Sequence, residues 1–459
     1  MGIANKSSHL IEIPISDNKY FVFHSLYGKP VIIDHNSLSF INKINSINID
    51  RSSSICKYEE LLNTYFNLSF IIKENEDERI KLIKDNENYL STLKSKNYFA
   101  SIGFSTGSSC NFDCSYCMST RLANTSCQQN RFLDKFDYRI AKDIIDSYFS
   151  LLKDNNIRAA NIGFSGGEPM IHWTQLMKTI NYIQNKYGYS YDLDLRINTN
   201  ASLINEDAAY FIKKHNIKPS VSLDGYNKEL NDKVRFYSNS SLSSFNSIIS
   251  GINKARSFGI RIDGFYLTLT SGNINISPKK LISFLHNNKF NNITVEPDLL
   301  GLDTPIDILI EKLLSIEMAC RETGIKINGF WRRPYSRLIS SHNNCNLAFC
   351  EALKGEIIAV DNNGKYHICP YSDSKFQHND ITKIRNSDEY HSLITDNLVG
   401  NIDECINCEI EGMCIGGCYI TREYSKRKSD PSIFSSRCEL YKKITFELIK
   451  LHWSSNHSY

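Results

Sequence analysis

The chain has 459 residues, of which 41% are hydrophobic and 22% charged, and its formal net charge is +3. This length favours more than one domain, and so small a charge argues against nucleic acid or a membrane surface as a partner. No stretch is apolar enough for a membrane span, and the opening Met-Gly-Ile-Ala-Asn-Lys lacks the apolar core of a secretion signal.

The chain contains fourteen cysteines, and eleven of them fall into tight groups. Disulfide scaffolds are small and secreted, so we expect a cytoplasmic protein whose reduced thiols bind metal. Cys56, Cys127 and Cys320 stand apart from the groups, and we expect them to be buried or free thiols.

Residues 1–95 hold none of the grouped cysteines and form the first expected domain. Alternating and apolar runs predict strands at His9–Ile15, Tyr20–His24 and Pro30–Asp34, followed by helices. This order resembles the winged-helix peptide-recognition element that is fused to many peptide-modifying enzymes. The resemblance implies a leader-peptide site at an exposed sheet edge, near Tyr20–His24 or Pro30–Asp34. The alternative is a structural cap on the domain that follows.

Residues 96–310 alternate between strand and helix patterns. Strands are predicted at Ala100–Thr106, Ala159–Phe164, Leu193–Asn198, Ser220–Leu223, Ile260–Thr270 and Asn292–Glu296. Repeated strand–helix units predict an α/β fold with a parallel sheet and helices outside it, here a partial (βα)6 barrel. Sites in such barrels lie at the C-terminal ends of the strands.

The loop after the first of these strands carries Cys110, Cys114 and Cys117 in the run Cys-Asn-Phe-Asp-Cys-Ser-Tyr-Cys. Three thiolates so spaced can bind three corners of a [4Fe–4S] cluster and leave the fourth iron open to a small molecule. Half of a zinc site is the alternative, although zinc sites usually pair two short doublets.

With Tyr116 before its last cysteine, this run resembles the signature of the radical S-adenosylmethionine (SAM) enzymes. The resemblance implies that SAM chelates the open iron beside Tyr116. It also implies that cleavage of SAM yields a 5′-deoxyadenosyl radical, which abstracts hydrogen from the substrate.

Further motifs of that superfamily follow at the ends of the next three strands. Gly166-Gly167-Glu168-Pro169 resembles the GGEP segment, which implies that this backbone and Glu168 bind the SAM ammonium group. Thr199-Asn200-Ala201 resembles the TNG segment, with Ala for Gly, and implies Asn200 beside the ribose. Ser222-Leu223-Asp224-Gly225 with Arg235 is similar to the SLDG…HDxxR pattern and implies Ser222 and Arg235 for the SAM carboxylate. A structural role is the alternative for Asp224 and Arg235.

Residues 311–459 form the third expected domain and contain eight of the grouped cysteines. They are Cys345, Cys350, Cys369, Cys405, Cys408, Cys414, Cys418 and Cys438. Their order resembles the SPASM domain, the twin-cluster extension of radical SAM peptide maturases. The resemblance implies one auxiliary [4Fe–4S] cluster on Cys345, Cys350, Cys369 and Cys418, and another on Cys405, Cys408, Cys414 and Cys438. Two structural zinc ions would also use eight thiolates and are the alternative.

These resemblances imply a radical SAM peptide maturase that uses SAM and three [4Fe–4S] clusters. It would abstract hydrogen from a ribosomally made precursor peptide and install a side-chain crosslink, either carbon–carbon, as in a three-residue cyclophane, or a thioether. Its expected partners are the precursor with its leader segment and an external one-electron reductant, with neither nucleic acid nor membrane involved.

Two alternatives remain open. Anaerobic sulfatase maturases oxidise Ser or Cys to formylglycine, but the Asp that follows their Gly-x4-Cys cysteine is replaced here by Pro370. The second alternative is a non-catalytic scaffold protein that binds metal.

Overall fold

A computed structural model defines residues 3–44, 47–48, 59–74, 76–122, 135–298, 300–301, 303–340, 347–372 and 380–454. Cys56, Cys127 and Cys345 lie outside these residues. Within the defined ranges, none of the helices combines the length and the apolar character that a bilayer crossing needs.

The N-terminal region contains two small antiparallel sheets. The strands are β1 (Ile3–Lys6), β2 (Leu10–Ser16), β3 (Lys19–His24), β4 (Gly28–Asp34), β5 (Ile47–Asn48) and β6 (Ile71–Lys73). The sheets have the orders β5-β1-β6 and β2-β3-β4. Three helices, His35–Asn42, Glu59–Asn67 and Ile80–Ser95, complete the region.

The β2-β3-β4 sheet is buried on both faces. Leu10 and Val22 belong to a small core within the N-terminal region. Phe21 and Phe23, whose side chains point to the other face, belong to the large core that runs through the rest of the chain. The expected free edge at Tyr20–His24 is therefore wrong, because this segment is the central strand and pairs on both sides.

The middle of the chain forms the predicted parallel barrel. Its strands are β7 (Ser101–Ser105), β8 (Ala159–Ser165), β9 (Asp192–Thr199), β10 (Lys218–Val221), β11 (Gly264–Leu269) and β12 (Asn292–Pro297). Neighbours pair in parallel from β7 to β10 and from β11 to β12. A parallel bridge between Ser222 and Tyr266 joins the two groups. A mixed α/β barrel of six strands is thus confirmed.

Helices follow the barrel strands as the alternation predicts. They are Met118–Leu122, Tyr138–Asp154, Trp173–Tyr187, Glu206–Lys214, Lys228–Val234, Ser244–Ser257 and Pro278–Asn287. The predicted strand Ile260–Thr270 begins later, at Gly264, since the N–H of Ile260 still bonds to the carbonyl of Ala255 at the end of the preceding helix.

Strands from the last third of the chain extend the sheet at both ends. They are β13 (Lys326–Asn328), β14 (Ile357–Val360) and β15 (Tyr366–His367). β13 pairs in parallel with β12, and β14 pairs in parallel with β7. Residue 310, the expected domain boundary, falls inside a helix. The C-terminal helices are Ile306–Thr323, Arg333–Ile339, Ile381–Arg385, Asp388–Thr395, Glu411–Cys414, Tyr419–Lys428 and Pro431–Ser454.

The barrel strands have an apolar outer side and a more polar inner side. Phe265 of β11 is buried and its ring lies 6.2 Å from that of Phe284 in an outer helix. Side chains alternate along a strand, so Tyr266 points the opposite way, into the barrel lumen, and it is 50% exposed. In the parallel pairing of β11 with β12, Thr294 lies beside Tyr266 and Glu296 lies beside Thr268. The side chains of Thr294 and Glu296 therefore also point to the lumen.

Candidate active site

The loop with Cys110, Cys114 and Cys117, called the cluster loop below, is held by backbone pairing. The N–H of Asp113 donates to the Phe236 carbonyl at 2.8 Å, and the N–H of Ser115 donates to the Val234 carbonyl at 2.9 Å. The ring of Phe112 also packs edge-on against that of Tyr237, with centroids 4.7 Å apart. The connection after β10 thus fixes the loop at the C-terminal edge of the barrel.

Gly166 and Gly167 are required by contact with the cluster loop. The N–H of Gly167 donates to the Gly107 carbonyl at 2.8 Å. A Cβ at Gly167 would lie only 2.1 Å from the Ser109 carbonyl oxygen, and Gly166 has a φ of +128°. Both glycines therefore allow the backbone to pack closely against the cluster loop, and their role toward SAM stays a prediction.

Glu168 joins the ends of β8 and β9. Its carboxylate accepts from the Thr199 hydroxyl and from the Asn200 N–H, both at 2.7 Å, and from the Met170 N–H at 3.1 Å. The side chain is 1% exposed, and burial raises the pKa of its carboxyl. Its role toward the SAM ammonium group stays a prediction.

Asn200 is hydrogen-bonded to the cluster loop through Asn111, a residue that the sequence motifs did not indicate. Its amide donates to Asn111 at 2.9 Å, and Asn111 donates to Ser202 at 2.9 Å. The only sequence signal was that Asn111 directly follows a cluster-loop cysteine. Ala201 has a φ of 62°, which explains why glycine suits this place in the motif.

Arg235, Asp224 and Tyr116 form a buried triad. The Nε of Arg235 donates to Asp224 at 2.9 Å, its Nη2 donates to the Tyr116 hydroxyl, and that hydroxyl donates to Asp224. Asp224 also accepts from the Thr268 N–H at 2.8 Å, which ties the triad to β11. Burial raises the pKa of Tyr116 well above its usual range. Arg235 thus fixes two side chains: Tyr116, which precedes Cys117, and Asp224, which follows β10.

Ser222, the remaining residue expected at the SAM carboxylate, lies at the joint between β10 and β11. Its N–H donates to the Thr199 carbonyl at 3.3 Å, and it forms the bridge with Tyr266. The structure thus brings Glu168, Asn200, Ser222, Arg235 and the cluster loop to one edge of the barrel.

The C-terminal cysteines fall into two groups. Burial raises the pKa of Cys369 to about 12, and the nearby thiols Cys418 and Cys350 raise it further. Burial also raises the pKa of Cys414 well above its usual range, and here the contributing neighbours are Cys438, Cys405 and Cys408. These neighbours match the two ligand sets implied by the resemblance, apart from Cys345, which lies outside the described residues.

The donor chemistry of all three groups fits iron–sulfur clusters. Thiolates are the ligands of [4Fe–4S] clusters, and each of them binds a different iron. Among the described residues, no three Cys, His, Asp or Glu side chains converge as they would on a single metal ion. Burial raises the pKa of Cys110 to about 12 and that of Cys114 to about 11, so cluster binding here must displace protons.

Arg337 lies between the two C-terminal groups and was also missed. Its guanidinium donates to the carbonyls of Met413 at 2.8 Å and Phe349 at 2.7 Å. Burial lowers its pKa to about 10, while the thiols of Cys414 and Cys350 oppose that shift. A fixed cation at this point would stabilise negative charge on both groups.

Comparison with curated proteins finds relatives that differ in how much of the chain they match. The radical SAM cyclopropyl synthase TigE of Paramaledivibacter caminithermalis is 22% identical over 97% of this chain and 95% of its own. A cysteine-type anaerobic sulfatase-maturating enzyme of Clostridium novyi is 25% identical over 69% of this chain and 86% of its own.

Solved structures share the fold at low identity. The enzyme anSMEcpe with bound AdoMet superposes with a TM-score of 0.61 and 15% identity over 78% of this chain and 99% of its own. Streptococcus suis SuiB bound to its precursor peptide SuiA gives a TM-score of 0.50 and 16% identity over 91% of this chain and 96% of its own. Residues 104–285 match the Radical SAM superfamily. The motifs and the barrel agree with this match, so residues 104–285 form a radical SAM domain.

Proposed function

We propose that this protein is a maturase that installs a side-chain crosslink in a ribosomally made precursor peptide. The crosslink is a carbon–carbon bond, as in a three-residue cyclophane, or a thioether. The observation that carries the proposal is the arrangement of three thiol groups: an open set of three at the barrel edge and two further sets beyond it. When bound, SAM and three [4Fe–4S] clusters supply a 5′-deoxyadenosyl radical and an acceptor for the second electron of the oxidation.

The extent of the comparisons supports a precursor peptide over a sulfatase as substrate. TigE and the precursor-bound SuiB match 97% and 91% of this chain. The sulfatase-maturating enzyme of Clostridium novyi matches 69%. A substrate-binding role for the N-terminal region would account for this difference.

The cluster-loop cysteines would hold the SAM-binding cluster. Glu168 and Asn200 would line the SAM ammonium and ribose sides, and Ser222 would lie toward the carboxylate. Arg235 would act through Tyr116, because both its Nε and Nη2 already donate to the triad. The cysteine groups around Cys369 and Cys414 would hold the auxiliary clusters.

The N-terminal region would bind the leader by strand addition at β4. With β3 in the centre, β2 and β4 are the edge strands of this sheet in the part of the chain that the structure describes. β4 contains Pro30–Asp34, one of the two segments expected to bind, and a leader strand would pair with the backbone along its outer edge. Hydrogen exchange of the β4 amides should slow when the full precursor is added and should not change with a leaderless peptide. Equal exchange in both samples would contradict leader binding at this edge.

The decisive experiment is reconstitution of the chain with iron and sulfide, followed by reduction in the presence of SAM. Candidate precursor peptides, taken from small reading frames in the genomic neighbourhood, are then added. We expect 5′-deoxyadenosine and a peptide that has lost two hydrogens. A scaffold protein would give no 5′-deoxyadenosine. A sulfatase-maturase activity would instead convert a Cys or Ser of a sulfatase peptide to formylglycine.

A further inference from the structure

Glu296 occupies a position that the proposed function does not yet use. It lies at the C-terminal end of β12, the sixth barrel strand, on the side that faces the lumen. This is the edge that also carries the cluster loop. An acidic side chain at this place faces the space where a substrate must approach the SAM site.

Neighbouring contacts connect the end of β12 to both kinds of thiol group. Asp298, two residues further on, forms an ion pair with Arg121 at 2.6 Å, and Arg121 follows the cluster loop directly. On the other side, Arg437 of the last helix lies close enough to Glu296 and Cys418 for their charges to raise its pKa. The end of β12 that carries Glu296 is therefore tied to the helix after the cluster loop through Asp298, and Arg437 lies near both Glu296 and Cys418.

The surroundings of the Glu296 carboxylate suit a proton acceptor. The N–H of Phe330 donates to both carboxylate oxygens, at 2.8 and 3.0 Å. Burial raises the pKa of this carboxyl to about 8, although the cations Arg333 and Arg437 act to lower it. Among the described residues, the phenol of Tyr441 also lies close enough for this carboxylate to raise its pKa. A base with a pKa near the working pH combines an adequate ionised fraction with a strong pull on the proton.

The other carboxylates at the barrel are poorer candidates. Asp194 forms ion pairs with Arg196 at 2.7 Å and Lys218 at 3.0 Å, and its pKa is lowered. Asp224 is paired with Arg235, and Glu168 accepts three hydrogen bonds inside the protein. Asp194 and Asp224 are thus already paired with cations, and Glu168 is already engaged by three donors and assigned to the SAM ammonium group.

We propose that Glu296 is the general base that accepts the proton released when the crosslink forms, an inference that rests on the proposed function. Hydrogen-atom transfer leaves a carbon radical on the peptide and yields 5′-deoxyadenosine. The radical carbon then bonds to a second side-chain atom that still carries its hydrogen. Loss of one electron to an auxiliary [4Fe–4S] cluster and of that proton to Glu296 completes a closed-shell product.

The test compares Glu296→Gln with the wild type in the reconstituted enzyme, using the precursor peptide that the wild type crosslinks. The glutamine Oε1 can still accept the Phe330 N–H, so the strand end should keep its structure. We expect 5′-deoxyadenosine with retained transfer of deuterium from labelled peptide, but at least about 100-fold less crosslink per 5′-deoxyadenosine, the usual lower range for a lost general base. In the wild type this ratio should rise with pH through about 8.

Glu317→Gln is the matched control. Glu317 is also buried and is paired with Arg332 at 2.8 Å, but it lies on the helix Ile306–Thr323 outside the barrel. Its loss should reduce stability while the crosslink per 5′-deoxyadenosine stays at the wild-type value. A ratio that falls equally in both variants would overturn the proposal in favour of a structural role for Glu296.

A second measurement needs neither clusters nor peptide. Infrared difference spectra of the metal-free chain between pH 6.5 and 9.5 should show a protonated carboxyl band that titrates near pH 8 and is missing in Glu296→Gln. An unchanged band, or a variant that crosslinks at the wild-type ratio, would show that Glu296 is not the base. A wild-type chain that makes no 5′-deoxyadenosine would refute the proposed function instead.

Discussion

Replacing Gly167 with alanine should push the cluster loop away from the barrel. The added Cβ would lie 2.1 Å from the Ser109 carbonyl oxygen and 2.7 Å from that of Ser108. Overpacking lowers the unfolding free energy by about 1–3 kcal/mol. The upper end of that range applies here, because the backbone, not a flexible side chain, must move. Loss of the hydrogen bond from the Glu168 N–H to Ser109 adds about 1 kcal/mol. The expected loss of unfolding free energy is therefore about 4 kcal/mol.

Gly163→Ala is the control on the same strand. A Cβ at Gly163 meets nothing within 4 Å, and alanine within a strand is favoured over glycine. This variant should gain about 0.5–1 kcal/mol, the opposite sign. Urea unfolding of the metal-free chains measures both changes, and iron analysis after reconstitution should show about four fewer irons in Gly167→Ala. Equal stability and equal iron content in the two variants would refute the close-approach explanation.

Three further outcomes are expected. Changing the three cluster-loop cysteines together to alanine should abolish SAM cleavage and leave about eight irons per chain. Cys369→Ala should instead spare SAM cleavage and lose one auxiliary cluster. Iron analysis measures the loss in both variants. Arg79→Ala should cost roughly 3 kcal/mol in urea unfolding, because it leaves the fully buried Glu411 without its two-pronged partner at 2.7 and 2.9 Å. Burial lowers the pKa of His9 and His24, so the unfolded chain binds more protons as the pH falls below about 6.5. Unfolding free energy should therefore fall between pH 7.5 and 5.5, and less so in a variant with glutamine at both positions.

Local patterns were sufficient for the barrel and its motifs. Helix Pro278–Asn287 follows from such a local pattern, because Ser277 caps it and Pro278 suits the first turn. The motifs at the ends of β8, β9 and β10 all lie at one edge, since parallel strands share their direction.

Contacts between distant segments could not be predicted in the same way. β13 and β14 have three and four residues, too few for a periodic pattern, and their partners lie far away in the chain. The pairing of Arg121 with Asp298 likewise depends on the closed barrel. The central place of β3 depends on the order of strands in its sheet, which three similar apolar runs do not specify.

The pairing of β14 with β7 has a consequence for synthesis on the ribosome. Ile357 must be translated before the edge of the first barrel strand is covered, and at 5–20 residues per second this takes about 13–50 s after Ser105. Phe21 stays uncovered for longer, because its ring packs against that of Trp453, which is translated much later. The two ring centroids lie 5.3 Å apart in the folded protein. The nascent chain thus exposes an unpaired strand edge for most of its synthesis, which makes it a natural client for chaperones until the last helix emerges.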